Sequence, residues 1–486
     1  MTRSVNSTSG DHSSVPMDSP LPNLSPNLLL GSDRSRRSSF SWRRFLGLAA
    51  CLAGWLFLTD ARAAKAWQRD DLGTLTELAG EEVKRTPLRL KQWVESENGS
   101  PRWVFESREL DELVRDEHTP WVWNGTHASP APRGMWIGLV DGSWLTVQGI
   151  WLDSDTIIGD SDSLGCVELE RSLVRALILQ PAFDPRARLR EARATLKVDS
   201  SRDRTWLNDA DWIDGRVERL WVVGTDQPSP RFLELAEAAR EEDEQPGITI
   251  SARDRTIRPA LSQVPRITLI PAESPEPTHI RWTLGLRDGS QLEVTSIRAL
   301  PDSETDSMRL RLELASGVTI DTAGSDFIAQ LTMIRSRGHA DSSRFPTTPS
   351  QSGHVPLLGG NQSPDSWFHR GPELVDGAWW NDSLTLSANG TMTFDVPEGT
   401  ANLRGWIAIP DGAAPGVRAQ VFVKPTNGNW RADASWSSSP EAASSLIPLS
   451  VSLQGIEAIA INVSQLDSTP PVGSISWLDL GWEPNP

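Results

Sequence analysis

Two stretches of the chain share one pattern of alternating apolar and polar residues interrupted by Asp-Gly-Ser. The first runs from Ile137 to Val147 and the second from Leu284 to Val294. Alternation with a period of two is typical of a strand with one buried face, and Asp-Gly favours a tight reversal, so each stretch predicts a β-hairpin. Their recurrence predicts internal repeats in the middle of the chain.

The register of these hairpins follows from keeping the apolar residues on one face. A two-residue turn would place Leu286 opposite a polar residue, whereas an odd loop centred on Gly289 places it opposite Leu292. A slip of one residue would turn half of the apolar set to water. The pattern therefore predicts the odd loop, which in the earlier hairpin pairs Leu139 with Leu145.

Further apolar strands follow each hairpin and predict three or four small β-repeat units before residue 338. None is long enough to bury a large core alone, so we expect neighbouring units to pack together. Two helices should interrupt them, one from Asp184-Pro185 to Lys197 and one from Phe232 to Glu244, because Pro at the first turn starts a helix readily.

The C-terminal region contains about seven short strand-like runs separated by turn residues such as Asn389-Gly390 and Asn427-Gly428. This spacing predicts a β-sandwich. The expected fold class is mainly β, with repeat units, a C-terminal jelly-roll-like sandwich and an N-terminal signal segment. The predicted parts are a polar extension (1–33), a signal peptide or membrane anchor (34–63), an eroded β unit (68–130), a β-repeat unit (131–182), a helical connector (183–200), a β-repeat unit with a helical insertion (201–272), a β-repeat unit (278–337), a linker and lead-in (338–365) and the sandwich (366–486).

The N-terminal segment has the layout of a secretory signal peptide. Five arginines between residues 34 and 44 precede an apolar run at 45–58, and the small-x-small sequence Ala61-Arg62-Ala63 follows. The run is shorter than the ~20 residues that a comfortable membrane span needs. We therefore expect export to the periplasm, the cell surface or the extracellular space, with an uncleaved anchor at 45–58 as the alternative.

The net charge and the Cys and His content exclude several classes of function. A net charge of −17 argues against nucleic acid as a partner, which would need a basic face. One of the two cysteines, Cys51, lies in the leader and Cys166 stands alone, which excludes an internal disulfide framework and a cysteine-based zinc site in the exported chain. The seven His are scattered without metal-pair spacing, so no metal or cofactor is predicted.

The C-terminal strands carry a family resemblance. The runs at 382–396, 403–411, 417–423 and 456–463 are preceded by Pro356-Leu-Leu-Gly-Gly360 and end on Trp477-Leu-Asp479. This order resembles the novel putative carbohydrate-binding module (NPCBM) family over about a quarter of the chain. The resemblance implies a jelly-roll sandwich of the kind appended to secreted glycosidases and other envelope proteins. The middle repeats are similar to domains of secreted bacterial envelope proteins.

Tryptophan is the residue type expected to contact a sugar, because its rigid ring offers an apolar face and its N–H can still donate a hydrogen bond. The chain has 22 Trp and no Tyr, and those in predicted turns near the C-terminus are the best candidates. The alternative is packing between domains. The candidate ligand-binding residues are Trp379, Trp380 and Trp430, with Asp382, Asn427 and Asn429 as polar partners.

An enzymatic alternative rests on residues 159–164, which resemble the nucleophile block of the GDSL esterase family. Such an enzyme would use Ser161 as the nucleophile and would need a late Asp-x-x-His, which the sequence lacks.

The expected function is therefore an exported, non-enzymatic carbohydrate-binding or adhesion-type envelope protein that binds a polysaccharide or glycoprotein. A structural component that binds another envelope protein without binding glycan is the alternative, and a hydrolase is the third. Contact with a membrane is expected only through the N-terminal segment if it stays uncleaved.

Overall fold

The chain divides into two compact units, 1–67 and 68–486, and all of the described residues belong to the second. The predicted extension, the leader and the Pro356–Gly360 lead-in lie outside the described residues. The computed structural model describes residues 72–79, 82–95, 101–107, 112–116, 119–125, 134–182, 184–196, 201–208, 211–224, 228–239, 246–270, 280–300, 309–337, 343–345, 349–354, 367–376, 378–380, 382–414, 416–437, 446–466 and 473–485.

Short antiparallel strands dominate the first part of the described chain. They are β1 (Gly73–Ala79), β2 (Glu82–Glu95), β3 (Pro101–Glu106), β4 (Leu113–Arg115), β5 (Pro120–Asn124), β6 (Met135–Leu139), β7 (Trp144–Val147), β8 (Gly149–Leu152), β9 (Thr156–Ser161), β10 (Gly165–Glu170), β11 (Val174–Ile178), β12 (Arg204–Trp206), β13 (Trp212–Asp214), β14 (Arg216–Val223), β15 (Gly247–Ala252), β16 (Arg255–Ile257), β17 (Arg266–Thr268), β18 (Trp282–Leu286), β19 (Gln291–Leu300), β20 (Arg309–Leu314), β21 (Thr319–Ala323) and β22 (Leu331–Arg337). The α-helices among them are α1 (Pro185–Leu196), α2 (Pro230–Ala239) and α3 (Gly324–Gln330).

The C-terminal part of the described chain is also built from strands. They are β23 (Ser343–Arg344), β24 (Gln351–His354), β25 (Phe368–Arg370), β26 (Glu373–Val375), β27 (Ala378–Trp380), β28 (Ser383–Ser387), β29 (Gly390–Asp395), β30 (Thr400–Ala408), β31 (Val417–Pro425), β32 (Arg431–Ser437), β33 (Ile447–Ser452), β34 (Ile456–Gln465) and β35 (Ser474–Pro484).

The first 22 strands form four repeats with one strand order. Each repeat has five strand positions, and in repeats 2 and 3 the second position is filled by two successive strands, β7 and β8 or β13 and β14. The strand at the fifth position pairs with the first, the first with the second, the second with the third and the third with the fourth. The orders are β5-β1-β2-β3-β4 in repeat 1, β11-β6-β7/β8-β9-β10 in repeat 2, β17-β12-β13/β14-β15-β16 in repeat 3 and β22-β18-β19-β20-β21 in repeat 4. The described strands of this part of the chain thus form four β units with the same strand order.

The repeats join edge to edge and share one core. Strand β11 pairs with β17, β22 pairs with β5, and β7 meets β19, which makes one 16-stranded sheet. A single apolar cluster contains buried residues from every repeat, among them Leu75, Ile137, Ile250 and Leu284. Sharing a core solves the problem that a strand set this small cannot bury enough apolar surface alone.

The repeated hairpins have an odd loop, but its centre differs from the prediction. Leu284 lies opposite Leu292, so the loop is centred on Asp288 and the predicted pairing of Leu286 with Leu292 is wrong by two residues. The earlier hairpin has the equivalent register, with Ile137 opposite Leu145. A shift of two residues keeps every side chain on its own face, so the apolar face is the predicted one.

The loop chemistry explains this centre. Gly289 has φ +92° and its N–H donates to the Leu286 carbonyl at 3.0 Å, which is a turn followed by a residue in the left-handed region. Asp288 Oδ1 accepts a hydrogen bond from the Ser290 N–H at 2.8 Å. Glycine therefore has to be the last loop residue, and the loop centre falls on the residue before it.

Repeats 2 and 4 meet through reciprocal hydrogen bonds. Ser143 Oγ accepts from the Glu293 N–H, and Ser290 Oγ accepts from the Thr146 N–H, both at 2.9 Å. Each serine follows the Gly of its own hairpin, so the two bonds are equivalent. The repeated sequence thus produces a local two-fold arrangement within one chain.

The loop aspartates extend this arrangement to the opposite repeat. Asp141 Oδ2 accepts from the Ser316 N–H at 2.7 Å, and Asp288 Oδ2 accepts from Ser161 Oγ at 2.9 Å. Burial raises the pKa of Asp141, while the donated hydrogen bonds from Ser143 and Ser316 oppose that shift. Both aspartates hold their own turn and the neighbouring repeat at once.

We expect Asp288→Ala to lower the free energy of unfolding by about 2–4 kcal/mol, because two donors that it satisfies lose their partner. Asp141→Ala should have a similar effect for the same reason. Urea denaturation checks both, with Asp321→Ala as a control whose ion pair with Arg311 is partly exposed. A loss at Asp288 no larger than in the control would contradict the reciprocal arrangement.

Helix α1 covers part of the outer face of the long sheet. Asp184 Oδ2 accepts the Ala187 N–H at 2.8 Å and starts the helix at Pro185, as predicted. Ala192 packs with the tryptophans of the β6–β7 hairpin, and the buried Arg188 guanidinium lies 5.6 Å from the centre of the Trp136 ring. The Arg-rich helix is therefore packed on the sheet and is more than a solvated connector.

The C-terminal strands form the predicted β-sandwich. One sheet has the order β25-β28-β35-β30-β33, with β23 also pairing with β35, and the other has the order β24-β29-β34-β31-β32. Buried residues from both sheets, such as Leu386, Val421, Ile461 and Trp477, form the core between them. We call the second of these sheets the β24–β32 sheet, after its two edge strands. One of its faces lies against this core, and its other face is a candidate binding surface.

Candidate functional site on the sandwich

Three of the predicted ligand-binding residues lie together in the turn between β31 and β32. Asn427, Asn429 and Trp430 are exposed, and 43% of the Trp430 surface is accessible to solvent. The Gly428 N–H donates to the Pro425 carbonyl at 3.0 Å and closes the turn. An indole and two amides are therefore presented to solvent on a short, hydrogen-bonded loop.

The connection between β33 and β34, which crosses from one sheet to the other, supports this turn. The Thr426 N–H and Oγ both donate to the Gly455 carbonyl, at 3.2 and 3.3 Å, and Gly455 lies in the turn before β34. Lys424 Nζ pairs with Glu457 Oε1 at 2.5 Å on the same side. These contacts fix the start of the turn, at Lys424 and Thr426, to the neighbouring strand connection.

The outer face of the β24–β32 sheet continues from the turn. Phe422 is half-buried and lies opposite Ala460 of the neighbouring strand. Gln420 lies opposite Asn462, and Asn462 Nδ2 donates to Thr391 Oγ1 at 2.7 Å. We call Phe422, Gln420, Asn462 and the turn residues Asn427, Asn429 and Trp430 the amide face.

Two other residues predicted to contact a ligand are buried, and that prediction is wrong for both. Trp380 is 0% exposed and Asp382 is 8% exposed, so a sugar approaching from solvent could reach neither side chain. Trp379 lies in β27 opposite Leu374, and its side chain is outside the described residues. The sequence placed Trp380 in a turn, whereas β26 and β27 form a hairpin that carries it into an interface.

Trp380 lies where the sandwich packs against the repeats. It shares an apolar cluster with Trp406 and Leu478 of the sandwich and with Val122 of repeat 1. The guanidinium of Arg335, from repeat 4, lies 3.9 Å from the centre of the Trp380 ring. The interaction of a cation with an indole face is attractive, and it is stronger where water is excluded.

The same interface contains a buried ion network, which we call the junction. Arg335 Nη1 lies 3.3 Å from Asp479 Oδ2, and Arg337 Nη2 lies 3.4 Å from Asp479 Oδ1. Arg337 also donates to Glu293 Oε2 at 3.0 Å, and that oxygen accepts a second bond from Thr283 Oγ1 at 2.9 Å. The junction thus joins β35 of the sandwich to β19 and β22 of repeat 4.

The electrostatics of the junction reflect this burial. Loss of solvent raises the pKa of Asp479 and lowers that of Arg335, and the attraction between them opposes both shifts. The pKa of Arg337 is raised, because attraction to Asp479 and Glu293 exceeds the desolvation that would lower it. Burying any one of these charges alone would cost free energy through desolvation, and the attraction of its partners offsets that cost.

Asp479 is also the last residue of the Trp477-Leu-Asp479 sequence. Its backbone has φ +45°, a left-handed conformation that Asp and Asn adopt more readily than other non-glycine residues. Its N–H donates to the Asp382 carbonyl at 2.9 Å, and Asp382 Oδ1 accepts from Arg370 Nη2 at 3.2 Å. Asp382 therefore positions the junction and does not face a ligand.

Sequence reasoning also missed a buried polar group inside the sandwich. Glu373 Oε2 lies 2.9 Å from His369 Nε2 and accepts from Thr385 Oγ1 at 2.9 Å. Thr385 Oγ1 is 2.7 Å from Ser476 Oγ. Ser476 is 91 residues from Thr385 in sequence, and the pairing of β28 with β25 and β35 brings the group together.

Ser161 does not lie in an accessible site. It is buried, it donates to Asp288, and its Oγ accepts the Leu164 N–H at 3.3 Å. A nucleophile has to be reached by its substrate, so this position favours a structural role for Ser161. Among the described residues, no cluster of three or more His, Cys, Asp or Glu is arranged to hold a metal ion. No described helix has the length and apolar character that a membrane crossing needs.

The chain matches no protein-family model, and no curated protein matches it. Among solved structures it is similar to the CBM51 module of Clostridium perfringens GH95 in complex with methyl-galactose, at 10% identity over 28% of this chain and 94% of that one, with a TM-score of 0.21. It is also similar to the tandem CBM51 modules of Sp3GH98, a family 98 glycoside hydrolase of Streptococcus pneumoniae, at 9% identity over 81% and 88% of the two chains, with a TM-score of 0.21.

A third likeness is to the CBM51-2 and INT domains of Clostridium perfringens ZmpB in complex with GlcNAc, at 10% identity over 39% of this chain, with a TM-score of 0.22. The chain spans 40% of that structure's length. All three structures contain carbohydrate-binding modules. TM-scores this low assign neither a family nor a ligand to the present chain.

Proposed function

We propose that this chain is an exported, non-enzymatic protein that binds a neutral polysaccharide or glycoprotein glycan through the amide face of its C-terminal sandwich. The observation that carries the proposal is Trp430, whose indole is exposed on the same hydrogen-bonded turn that exposes the amides of Asn427 and Asn429. The resemblance of the C-terminal sequence to the NPCBM family supports the same function.

The chemistry of the amide face suits a sugar chain. An indole offers a flat apolar surface for the C–H side of a pyranose ring, and it loses little conformational freedom on binding. The amides of Asn427, Asn429 and Gln420 supply both donors and acceptors for hydroxyl groups. A face that bears amides and one exposed aromatic ring therefore favours an uncharged, hydroxyl-rich ligand.

The packing of the sandwich on the repeats supports a display role. The junction and the Trp380 cluster fix the sandwich to repeats 1 and 4 through β27 and β35, whereas the amide face is built from the opposite sheet. Binding at Trp430 therefore does not compete with the contacts that hold the sandwich. The repeats act as a rigid base for the binding face.

Affinity electrophoresis of the full chain through gels containing neutral polysaccharides tests this function. We expect at least one polysaccharide to retard the wild-type chain, and Trp430→Ala to abolish the retardation, because the variant removes the stacking surface. Trp430→Phe is the matched control, since it keeps an aromatic face and should retain part of the effect. Equal retardation of Trp430→Ala and wild type would exclude the amide face as the site.

A further inference from the structure

The β12–β13 hairpin of repeat 3 lies at one edge of the 16-stranded sheet. Strand β13 pairs with β12 on one side, and within the described ranges no strand pairs with its other side. Its first residue, Trp212, is 47% exposed. An open strand edge with an exposed indole is a surface that invites pairing with another strand.

This hairpin is the counterpart of the two Asp-Gly-Ser hairpins. In all three, an N–H to carbonyl bond closes the hairpin between residues four apart: Leu139 to Ser143 at 2.9 Å, Leu286 to Ser290 at 2.8 Å and Leu207 to Asp211 at 2.9 Å. The residue that follows the carbonyl of this closing bond is therefore equivalent in each. It is Trp144 in repeat 2, Gln291 in repeat 4 and Trp212 in repeat 3.

In repeats 2 and 4 these equivalent residues face each other. Trp144 lies opposite Gln291 in the antiparallel contact between β7 and β19, and both are buried, at 5% and 6% exposure. The local two-fold axis of the paired serine hydrogen bonds passes through this contact. The chain thus shows how one such hairpin pairs with another, and repeat 3 leaves the same position open.

The open hairpin is already ordered for a partner. Arg204 pairs with Asp214, with Nε 2.8 Å from Oδ1, and its guanidinium lies 4.8 Å from the centre of the Trp212 ring. The rings of Trp206 and Trp212 are 5.4 Å apart, and Arg266 lies 4.4 Å over Trp206. This ladder fixes the indoles before association, which lowers the entropy cost of binding.

The polar contacts of the internal pair also have counterparts. In repeats 2 and 4, the serine that closes the loop accepts an N–H from the opposite strand. Asp211 occupies that position in repeat 3 and is exposed, so its carboxylate can accept the equivalent N–H of Asp214 from an opposing copy. The Asp211 acceptor and the Asp214 donor lie on the same hairpin, so two copies of this hairpin can satisfy each other.

We propose that β13 pairs antiparallel with β13 of a second copy of this chain, about a two-fold axis at Trp212. The contact repeats between two chains what β7 and β19 do within one chain. Identical surfaces meeting about a two-fold axis form a closed dimer, the commonest oligomer of soluble proteins. The dimer joins the two 16-stranded sheets at their edges and displays two amide faces.

Sedimentation velocity of the full chain over a range of concentrations tests the dimer. The wild type is expected to show a monomer–dimer equilibrium, and Trp212→Asp to weaken it at least about tenfold, because like charges placed opposite each other on paired strands repel. Trp430→Ala is the control and should dimerise as the wild type does. A monomeric wild type, or a Trp212→Asp variant that dimerises normally, overturns the proposal.

Disulfide trapping tests the register independently. Residue 212 lies on the proposed axis, so Trp212→Cys in a chain with Cys51→Ser and Cys166→Ser should form a covalent dimer on mild oxidation. Asp254→Cys in the same background is the control, because Asp254 is exposed in the β15–β16 turn away from the axis. Cross-linking that is absent at position 212, or equally strong at both positions, overturns the proposed pairing.

Discussion

Replacing Asp479 with Asn is expected to lower the free energy of unfolding by about 3–5 kcal/mol, the usual cost of breaking a buried ion pair by removing one partner. Asp479 is the carboxylate between Arg335 and Arg337, and Arg335 is 0% exposed. Without it, the Arg335 charge remains buried without its carboxylate partner. Guanidinium chloride or urea denaturation of the full chain measures the loss.

The choice of Asn separates charge from backbone strain. Asp479 has φ +45°, and Asn tolerates the left-handed region nearly as well as Asp does, so Asp479→Asn changes little besides the charge. Asp321→Asn is the matched control, because its partner Arg311 is largely exposed and such pairs contribute about 0–1 kcal/mol. A loss at Asp479 no greater than at Asp321 would show that the junction does not stabilise the fold.

Trp380→Ala is expected to cost a similar amount, about 3–5 kcal/mol, the range for deleting a large buried aromatic side chain. The indole is fully buried between Trp406, Leu478 and Val122, and it covers the guanidinium of Arg335. The variant therefore leaves a cavity and removes the aromatic face over a buried charge. Thermal and urea denaturation of the variant check the prediction.

Two comparisons make the Trp380 prediction specific. Trp430→Ala removes the same side chain from an exposed turn and should change stability by less than about 1 kcal/mol. The double variant Trp380→Ala with Asp479→Asn should lose less than the sum of the single losses, because both residues contact Arg335. Fully additive losses would mean that the two contacts do not form one interface.

The strand pattern was readable from the sequence because it depends on local alternation. Strand β28 (Ser383–Ser387) lies within the strand-like run at 382–396, and the Asp-Gly-Ser hairpins have one apolar face. The register was wrong by two residues because alternation fixes only which face a residue occupies. The loop centre depends on Gly289 adopting a positive φ at the end of the loop, which alternation does not encode.

The amide face was predicted only in part. Turn residues mark the β31–β32 loop, so Asn427, Asn429 and Trp430 could be placed at the surface from sequence. Trp380 follows a similar local pattern, yet β26 and β27 carry it into a contact with repeats 1 and 4. Whether a tryptophan after a turn is exposed depends on what packs over it, and that is a tertiary property.

The junction could not be predicted at all. Asp479 and Arg335 are separated by more than a hundred residues, and nothing in the sequence around either one names its partner. The pairing arises because β22 and β35 lie on facing surfaces, where each charge requires the other. The same limit hides the Glu373 group, whose four members come from β25, β26, β28 and β35.

A glycan array probed in parallel with the full wild-type chain and with Trp430→Ala tests whether the amide face binds glycan. We expect the wild type to bind at least one neutral glycan and Trp430→Ala to lose that signal while retaining wild-type stability. An array with no bound glycan, or one on which the variant binds as the wild type does, would contradict it.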